Sequence, residues 1–326
     1  MMIKIINEIN KLHVIGLLIG LLTASAVCAQ SYPVKPVRII VPAAAGGPVD
    51  FIARVIGQQL TEIWGHPVIT DNRPGAGTNI GNQLTAKAAP DGYTLELVST
   101  AFVVNPSLYR NPGYDPFRDF EAVTLAATSP IIMVAHPALP ARDVRELVRL
   151  AKQQPLNYAS PGTGTTGHLA GELLGTRAGI RMQHVPYKGA GPAMTDLLGG
   201  MMQLGFMAVP PAVPHIATGR LKALAVTSRS RTTLLPAVPT VAETGFAGYE
   251  VDTMFGVVAP RGVPRAIVAQ VHRDIARIVQ SAAIRERLVS QGFDPVGNTP
   301  EAFEKYLRAE SVKWAEVVKQ SGARVD

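Results

Sequence analysis

The sequence predicts an α/β protein of two lobes with a ligand cleft between them. Short apolar strands are repeatedly followed by loops of small residues and by amphipathic helices, a pattern typical of parallel α/β layers. Two extended segments, near residues 129–136 and 250–256, are candidate crossings between the lobes. Two crossings return the terminal helices to the first lobe and create a hinge. We expect a first lobe at 30–131 and 254–326 and a second lobe at 132–253.

The elements of the first half follow from local patterns. Each strand is mostly apolar, each helix repeats apolar residues at helical spacing, and glycine or proline marks the breaks. The expected order is a strand at 37–42, a helix at 50–64, a strand at 66–71, a Gly-rich loop at 72–81 opening a helix to about residue 89, a strand at 94–99, a loop at 100–106 and an extended segment at 121–136.

The second half continues the alternation and ends in helices. Thr299, Pro300 and Gly322 are the residue types expected at the N-cap, the first turn and the C-terminal stop of the last helix. Strands are expected at 157–159, 182–185, 203–207, 221–227 and 251–259, and helices at 144–153, from about 165 to 177, and at 193–198, 213–218, 264–281, 284–290 and 300–320.

The first residues are typical of a secretory signal peptide. Lys4 and Lys11 supply positive charge, residues 14–22 form a short apolar core, and small residues precede Gln30. We expect a cleaved signal peptide at 1–29 and an exported protein. An uncleaved membrane anchor is the alternative, but the apolar run is short for a membrane span.

Composition narrows the functional classes. Hydrophobic residues make up 47% and charged residues 17% of the 326 residues, which favours a packed core over disorder. The net charge is +7, but the basic residues are scattered and not interleaved with aromatics, so a nucleic-acid partner is not expected. The single cysteine, Cys28, lies within the predicted signal peptide, so the exported chain has neither a disulfide nor a thiolate metal site.

Five loops at predicted strand ends are rich in small residues and backbone donors. They lie at 43–50, 74–81, 99–106, 160–168 and 187–192. Loops of this kind bind a small solute through N–H groups, hydroxyls and ordered water. None offers a nucleophile with an adjacent base, and the sequence carries no Gly-x-Ser-x-Gly, His-Glu-x-x-His or P-loop pattern. These observations favour binding without turnover, and we expect no metal or cofactor.

The stretch 160–172 admits two interpretations. Its glycines and hydroxyl residues precede an apolar helical pattern, so a helix starting near Thr165 would point free N–H groups into the loop. That arrangement suits a carboxylate, whereas the simpler alternative is a capped helix after an ordinary turn. Two side chains leave the same choice open. Asp50 either contacts a ligand or caps its own helix, and His168 either contacts a ligand or bonds a neighbouring loop.

Five motifs carry a family resemblance that covers essentially the whole exported chain. They are Val-Pro-Ala-Ala-Ala-Gly-Gly-Pro-Val-Asp at 41–50, Asn-Arg-Pro-Gly-Ala-Gly-Thr-Asn-Ile-Gly at 72–81, Ala-Ala-Pro-Asp-Gly-Tyr-Thr-Leu at 88–95, Val-Pro-Tyr-Lys-Gly at 185–189 and Leu-Lys-Ala-Leu-Ala-Val-Thr at 221–227. Together they resemble the Bug receptors, which are the periplasmic substrate-binding proteins of tripartite tricarboxylate transporters.

The resemblance implies a type II periplasmic binding protein fold with two crossing strands and Venus-flytrap closure. It implies a small carboxylate ligand (a di- or tricarboxylate, an amino acid or an aromatic acid), the membrane subunits of the transporter as partners, and a periplasmic monomer. The loops and the resemblance together give the expected ligand-contacting residues: Ala43, Ala44, Ala45, Gly46, Gly47, Asp50, Gly75, Ala76, Gly77, Thr78, Asn79, Ser99, Phe102, Ser160, Gly162, Thr163, Gly164, Thr165, Thr166, His168, Tyr187 and Ala208.

Two departures from the family pattern affect the expected ligand. Residues 207–209 are apolar where the family often has a polar residue, and Met254 stands where tryptophan is common. We therefore expect a less polar pocket than in a receptor for acidic amino acids. Two alternatives to transport remain, namely a receptor that feeds a sensor protein and an enzyme in a related two-lobed fold.

Overall fold

The computed structural model of the protein describes residues 32–325. The predicted signal peptide at 1–29 lies outside the described residues. Within 32–325, no helix is both long and apolar enough to cross a bilayer. The described residues form ten strands: β1 Val37–Val41, β2 Val68–Asn72, β3 Thr94–Ser99, β4 Phe120–Ala135, β5 Leu156–Ser160, β6 Met182–Pro186, β7 Leu204–Ala208, β8 Lys222–Val226, β9 Asp252–Pro260 and β10 Asp294–Pro295.

The α-helices of the described residues mostly alternate with these strands, and the last three are interrupted only by the short strand β10. They are α1 Pro48–Trp64, α2 Asn79–Ala86, α3 Ala101–Leu108, α4 Val144–Gln153, α5 Thr166–Ala178, α6 Ala190–Leu198, α7 Val209–Ala217, α8 Arg265–Gln280, α9 Ala282–Ser290 and α10 Pro300–Ser321.

The strands form one curled sheet in the order β2-β1-β3-β9-β4-β7-β5-β6, with β8 and β10 paired to β4. Parallel pairing is found at both ends, where β1 pairs with β2 and β3, and β5 pairs with β6 and β7. Between them, β9 runs antiparallel to both β3 and β4. The sequence predicted the parallel units correctly, but the sheet is mixed because the connecting strands run against their neighbours.

The long strand β4 changes partners along its length. It pairs with β9 from Phe120 to Pro130, and from Ile131 onward it pairs with β7 and β8. Two irregularities interrupt its register with β9, between Ala122 and Thr124 and between Leu125 and Ala127. Such bulges bend and twist a strand, which lets β4 pass from one group of strands to the other.

The residues expected to cap the last helix do cap it in the structure. The Thr299 hydroxyl accepts a hydrogen bond from the Ala302 N–H at 3.2 Å, Pro300 occupies the first turn of α10, and Gly322 ends it in the left-handed conformation. Gly65 ends α1 in the same way, with φ +67°. These caps satisfy backbone groups that helix ends otherwise leave without partners.

The loop expected at 100–106 is instead helix α3, which corrects the prediction. Pro106 argued against a helix because it has no N–H to donate to the Phe102 carbonyl one turn earlier. The Tyr114 hydroxyl donates to that carbonyl at 2.9 Å, so the missing helical bond is replaced. Phe102 also packs its fully buried ring against Tyr114 and Phe120, which stabilises the helix through tertiary contacts.

Candidate ligand-binding cleft

A cleft of about 760 Å³ lies where the parallel strands end and helices begin. Six strand-to-helix connections reach it, from β1, β2, β3, β5, β6 and β7 into the helices that follow them. The lining residues at these helix starts are Gly47, Thr78, Thr100, Thr165, Ala190 and Ala208. Six helix N-termini therefore border one space, and their positive dipole ends favour a negatively charged group there. The start of α7 offers fewer N–H groups than the others because Pro210 and Pro211 have none.

The lining of the cleft is mostly apolar, and its polar side chains are uncharged. Among the described residues that line it, none is Asp, Glu, Lys, Arg or His. Its polar side chains are those of Thr78, Ser99, Thr100, Asn105, Tyr109, Ser129, Thr163, Thr165, Thr166, Thr253 and Gln291. An anion in the cleft is thus met by amide N–H groups and hydroxyls, and no lining side chain of the described chain can supply a carboxylate base or an imidazole.

Asp50 braces the loop between β1 and α1 from behind. Its carboxylate accepts the Gly46 N–H at 2.9 Å, the Arg54 Nε–H at 2.9 Å and the Asn72 Nδ2–H at 2.9 Å. The hydrogen bond from Arg54 is the main cause that lowers the pKa of Asp50 to about 2, so the group is ionised at neutral pH. Gly46 and Gly47 line the cleft, while Asp50 does not.

The loop between β2 and α2 holds an unusual backbone conformation. Ala76 and Thr78 both have positive φ, at +46° and +87°, which costs a non-glycine residue about 1–3 kcal/mol. The buried Asn105 amide donates to the Gly77 carbonyl and to Asn79 Oδ1, both at 2.7 Å, and so fixes the loop from inside. A Cβ on Gly77 would lie 2.4 Å from the Tyr109 hydroxyl, so only glycine fits there.

The loop between β5 and α5 is both a helix cap and a wall of the cleft. Thr165 is the N-cap of α5: its hydroxyl accepts from the His168 N–H at 3.4 Å and donates to the Gly162 carbonyl at 2.7 Å. Thr163 and Thr166 line the cleft on either side of this cap. The two interpretations of this stretch are therefore compatible, since one loop caps its helix and faces the cavity.

Two imidazoles, the buried His168 and the half-buried His184, support that loop without lining the cleft. His168 Nδ1 accepts the Gly164 N–H at 3.1 Å, and its ring stacks on His184 at 4.0 Å. Burial lowers the pKa of His168 to about 4 and, with His168 nearby, that of His184 to about 3, so both rings are neutral at pH 7. The Ser160 hydroxyl lies 2.7 Å from His184 Nε2. Among residues 32–325, no three His, Cys, Asp or Glu side chains form a metal-binding group.

The structure divides the residues expected at the site into two groups. Those that line the cleft are Gly46, Gly47, Gly75, Gly77, Thr78, Ser99, Thr163, Gly164, Thr165, Thr166 and Ala208. Those outside the lining are Ala43, Ala44, Ala45, Asp50, Ala76, Asn79, Phe102, Ser160, Gly162, His168 and Tyr187. Several of the second group bond the loops from behind. Phe102 is instead a core residue, and the Tyr187 hydroxyl donates to Asp196 at 2.5 Å.

Sequence reasoning missed one side of the cleft. Phe51, Phe255, Gln291 and Phe293 line it, although they come from three segments far apart in the chain. Phe255 lies in the expected crossing strand. Because a crossing strand runs past the cleft, this position could have indicated Phe255 as a lining residue. The segment around Phe293 carries no glycine-rich or hydroxyl-rich pattern that would mark it as a site.

Comparisons with known proteins identify the family and the fold of the chain. The family model described as "Tripartite tricarboxylate transporter family receptor" matches residues 52–323. Protein BugT of Bordetella pertussis is 37% identical over 98% of this chain and 99% of its own length. The R. palustris Rpa4515 structure with adipate is 35% identical, covers 90% of this chain and all of its own (100%), and has a TM-score of 0.78.

A further solved structure, MatC (Rpa3494) from Rhodopseudomonas palustris with bound malate, is 30% identical. It covers 88% of this chain and 100% of its own, with a TM-score of 0.73. The fold is therefore that of periplasmic binding proteins of this receptor type, and the relatives are solute-binding proteins. The chain belongs to the tripartite tricarboxylate transporter receptor family, and is a Bug-type receptor.

Proposed function

We propose that this protein is a periplasmic receptor that binds a small carboxylate in the cleft and delivers it to a tripartite tricarboxylate transporter. The observation that carries the proposal is the convergence of six helix starts on a cleft whose described lining has no charged side chain. The relatives with adipate and malate support a carboxylate as the ligand. The absence of a base among the described lining residues supports binding over catalysis.

In this proposal the first lobe, 30–131 with 254–326, seats the carboxylate on residues 43–47 and 75–79. The second lobe, 132–253, closes residues 160–168 over it. The amide groups of Gly47 and Gly77 are placed for such a contact because both residues line the cleft, whereas the Thr78 N–H already donates to the Gly75 carbonyl at 3.0 Å. The supporting side chains Asp50 and His168 hold the loops in position without touching the ligand.

Closure follows from the ligand's differential affinity for the two states. A carboxylate that bridges loops of both lobes binds the closed form better and shifts the population toward it. The paired strands β4 and β9 act as the hinge. Small-angle scattering with a saturating carboxylate should show a smaller radius of gyration than without it, and identical curves would contradict closure.

Calorimetric titration of carboxylates against the Thr163→Ala, Thr166→Ala double variant tests the site. Each hydroxyl lost from a charged ligand is expected to cost about 1.5–3 kcal/mol of binding free energy. Thr195→Ala is the matched control, because Thr195 is exposed on α6, bonds only to the carbonyl of Gly191 in its own helix, and does not line the cleft. Unchanged affinity in the double variant would remove this loop from the site.

Delivery to the transporter and export are the finer parts of the proposal. Co-purification of the membrane subunits with the ligand-loaded receptor tests delivery, and capture of a sensor protein instead would redirect the function to signalling. The intact mass of the protein recovered from the periplasm tests removal of residues 1–29.

A further inference from the structure

We propose that one wall of the cleft selects carboxylates that carry a single negative charge and a flat apolar body, of the phenyl-substituted monocarboxylate class. We call this the aromatic wall and define it as Phe51, Phe255 and Phe293. The inference rests on the proposed receptor function and narrows its ligand.

The aromatic wall is a preassembled surface. The Phe293 ring stacks on Phe51 with centroids 5.7 Å apart and meets Phe255 edge-on at 5.3 Å. Phe255 is 2% exposed and Phe293 is 7% exposed, so their rings are held by packing rather than free to turn. All three residues line the cleft. A third aromatic group can add to such an array by offset or edge-to-face contact.

The segment that carries Phe293 is tied to the rest of the cleft on two sides. The Ser129 hydroxyl donates to the Gly292 carbonyl at 2.9 Å, which anchors the segment to β4. Gly292 has φ +77°, and a Cβ there would lie 2.3 Å from Pro210 Cγ on α7. The wall is therefore fixed close to Pro210, which itself lines the cleft.

Apolar side chains continue the wall inside the cleft. Ile131 and Pro210 line the same cleft, and the described lining residues include no Lys, Arg or His. The Arg287 guanidinium lies 5.5 Å from the Phe51 ring centroid, but Arg287 does not line the cleft.

The helix starts and the aromatic wall affect the binding of a monocarboxylate and of a dicarboxylate differently. The first carboxylate has the helix starts as partners. A second carboxylate against the phenyl rings would lose its water without gaining a charged partner from the lining of the cleft, which is costly. A phenyl group in the same place buries apolar surface and gains ring contacts. The wall should therefore favour a phenyl-substituted monocarboxylate over dicarboxylates such as the adipate and malate bound in the two solved relatives.

The residues that suggested an apolar pocket from sequence, 207–209 and Met254, contribute only in part. Met207, Val209 and Met254 are buried and do not line the cleft, whereas Ala208 lines it. The aromatic wall supplies further apolar surface that the sequence did not indicate.

Calorimetric titration of the purified protein with 3-phenylpropionate, adipate and butyrate tests the proposal. We expect 3-phenylpropionate to bind about tenfold more tightly than adipate. Phe293→Ala should weaken 3-phenylpropionate about tenfold and change butyrate by less than about twofold. Phe117→Ala is the control, because Phe117 packs against Arg308 and does not line the cleft.

A gain-of-function variant keeps the test independent of core damage. Gln291 is exposed and lines the cleft beside Phe293, so Gln291→Arg supplies the missing cation without disturbing packing. It should tighten adipate about tenfold, whereas Gln291→Met should not. Adipate binding more tightly than 3-phenylpropionate in the unaltered protein would overturn the aromatic-wall proposal alone. If no carboxylate binds at all, the receptor function fails and the proposal fails with it.

Discussion

The buried side chain of Glu96 makes the stability of the folded protein fall as pH rises. Its carboxyl group lies on β3 with no exposed surface, and neither oxygen has a hydrogen-bond partner among the described residues. Burial raises the pKa of Glu96 from 4.5 to about 8, and the nearby Thr85 hydroxyl offsets only part of this. The folded protein therefore holds a neutral carboxylic acid in its core at pH 7.

The folded and unfolded chains bind different numbers of protons at Glu96 over several pH units. Above pH 4.5 the unfolded chain loses the Glu96 proton, whereas the folded chain keeps it until about pH 8. Because the unfolded state binds fewer protons in this window, stability falls by about 1.4 kcal/mol for each pH unit. Over the whole window the loss amounts to about 5 kcal/mol, a large share of the stability of an ordinary domain.

The variant Glu96→Gln keeps the shape of the protonated acid and removes its titration. Urea unfolding of both proteins from pH 5 to about pH 10 should give a stability difference in favour of Gln that grows by about 1.4 kcal/mol per pH unit and levels off above about pH 8. Glu96→Leu also lacks the titration, so its profile should run parallel to that of Glu96→Gln with a constant offset. Unaltered protein and Glu96→Gln profiles that run parallel to each other would refute the reasoning.

Two further predictions concern the loops that line the cleft. Asp50→Asn removes the charge that holds Arg54 and Gly46, so ligand affinity and stability should both fall, stability by about 1–3 kcal/mol at pH 7. In the unaltered protein that contribution is present above pH 3.8 and lost as pH falls through about 2, which a pH series of melting temperatures checks. Gly77→Ala should weaken carboxylate binding at least about tenfold, because the new Cβ strikes the Tyr109 hydroxyl and the backbone has φ +62°. Tyr109→Phe in the same chain should recover part of the affinity, and no recovery would place the damage in the backbone alone.

Local patterns predicted most of the elements, and the failures have identifiable physical causes. Hydrophobic periodicity and cap residues indicated α1, α4 and α10 closely, because these signals are local. Helix α3 was missed because its stability depends on the Tyr114 hydroxyl, which reaches back to the Phe102 carbonyl from the segment that follows the helix. The mixed sheet was missed because a strand's direction relative to its neighbours is a tertiary property.

The parts of the candidate site built from backbone groups could be predicted from the sequence. The parts that depend on which way a side chain points could not. Glycine and hydroxyl residues at strand ends indicated the loops that carry Gly47, Gly77 and Thr163. A polar residue in the first turn of a helix can point to the cavity or behind the loop, and sequence spacing does not distinguish these. Asp50 and His168 both lie behind their loops. The aromatic rings of the opposite wall resemble core residues until the fold brings them together.

The uncharged lining of the cleft has a consequence for the conditions under which the receptor works. Amide N–H groups and hydroxyls neither take up nor release protons near neutrality, and the supporting groups Asp50 and His168 change charge only near pH 2 and pH 4. Any proton exchange coupled to loading between about pH 5 and pH 8 therefore comes neither from the lining nor from these two groups. Asp252, which precedes the lining residue Thr253 on β9, titrates within this range because burial raises its pKa to about 7. Its replacement by Asn would show how far solute capture follows the acidity of the surroundings.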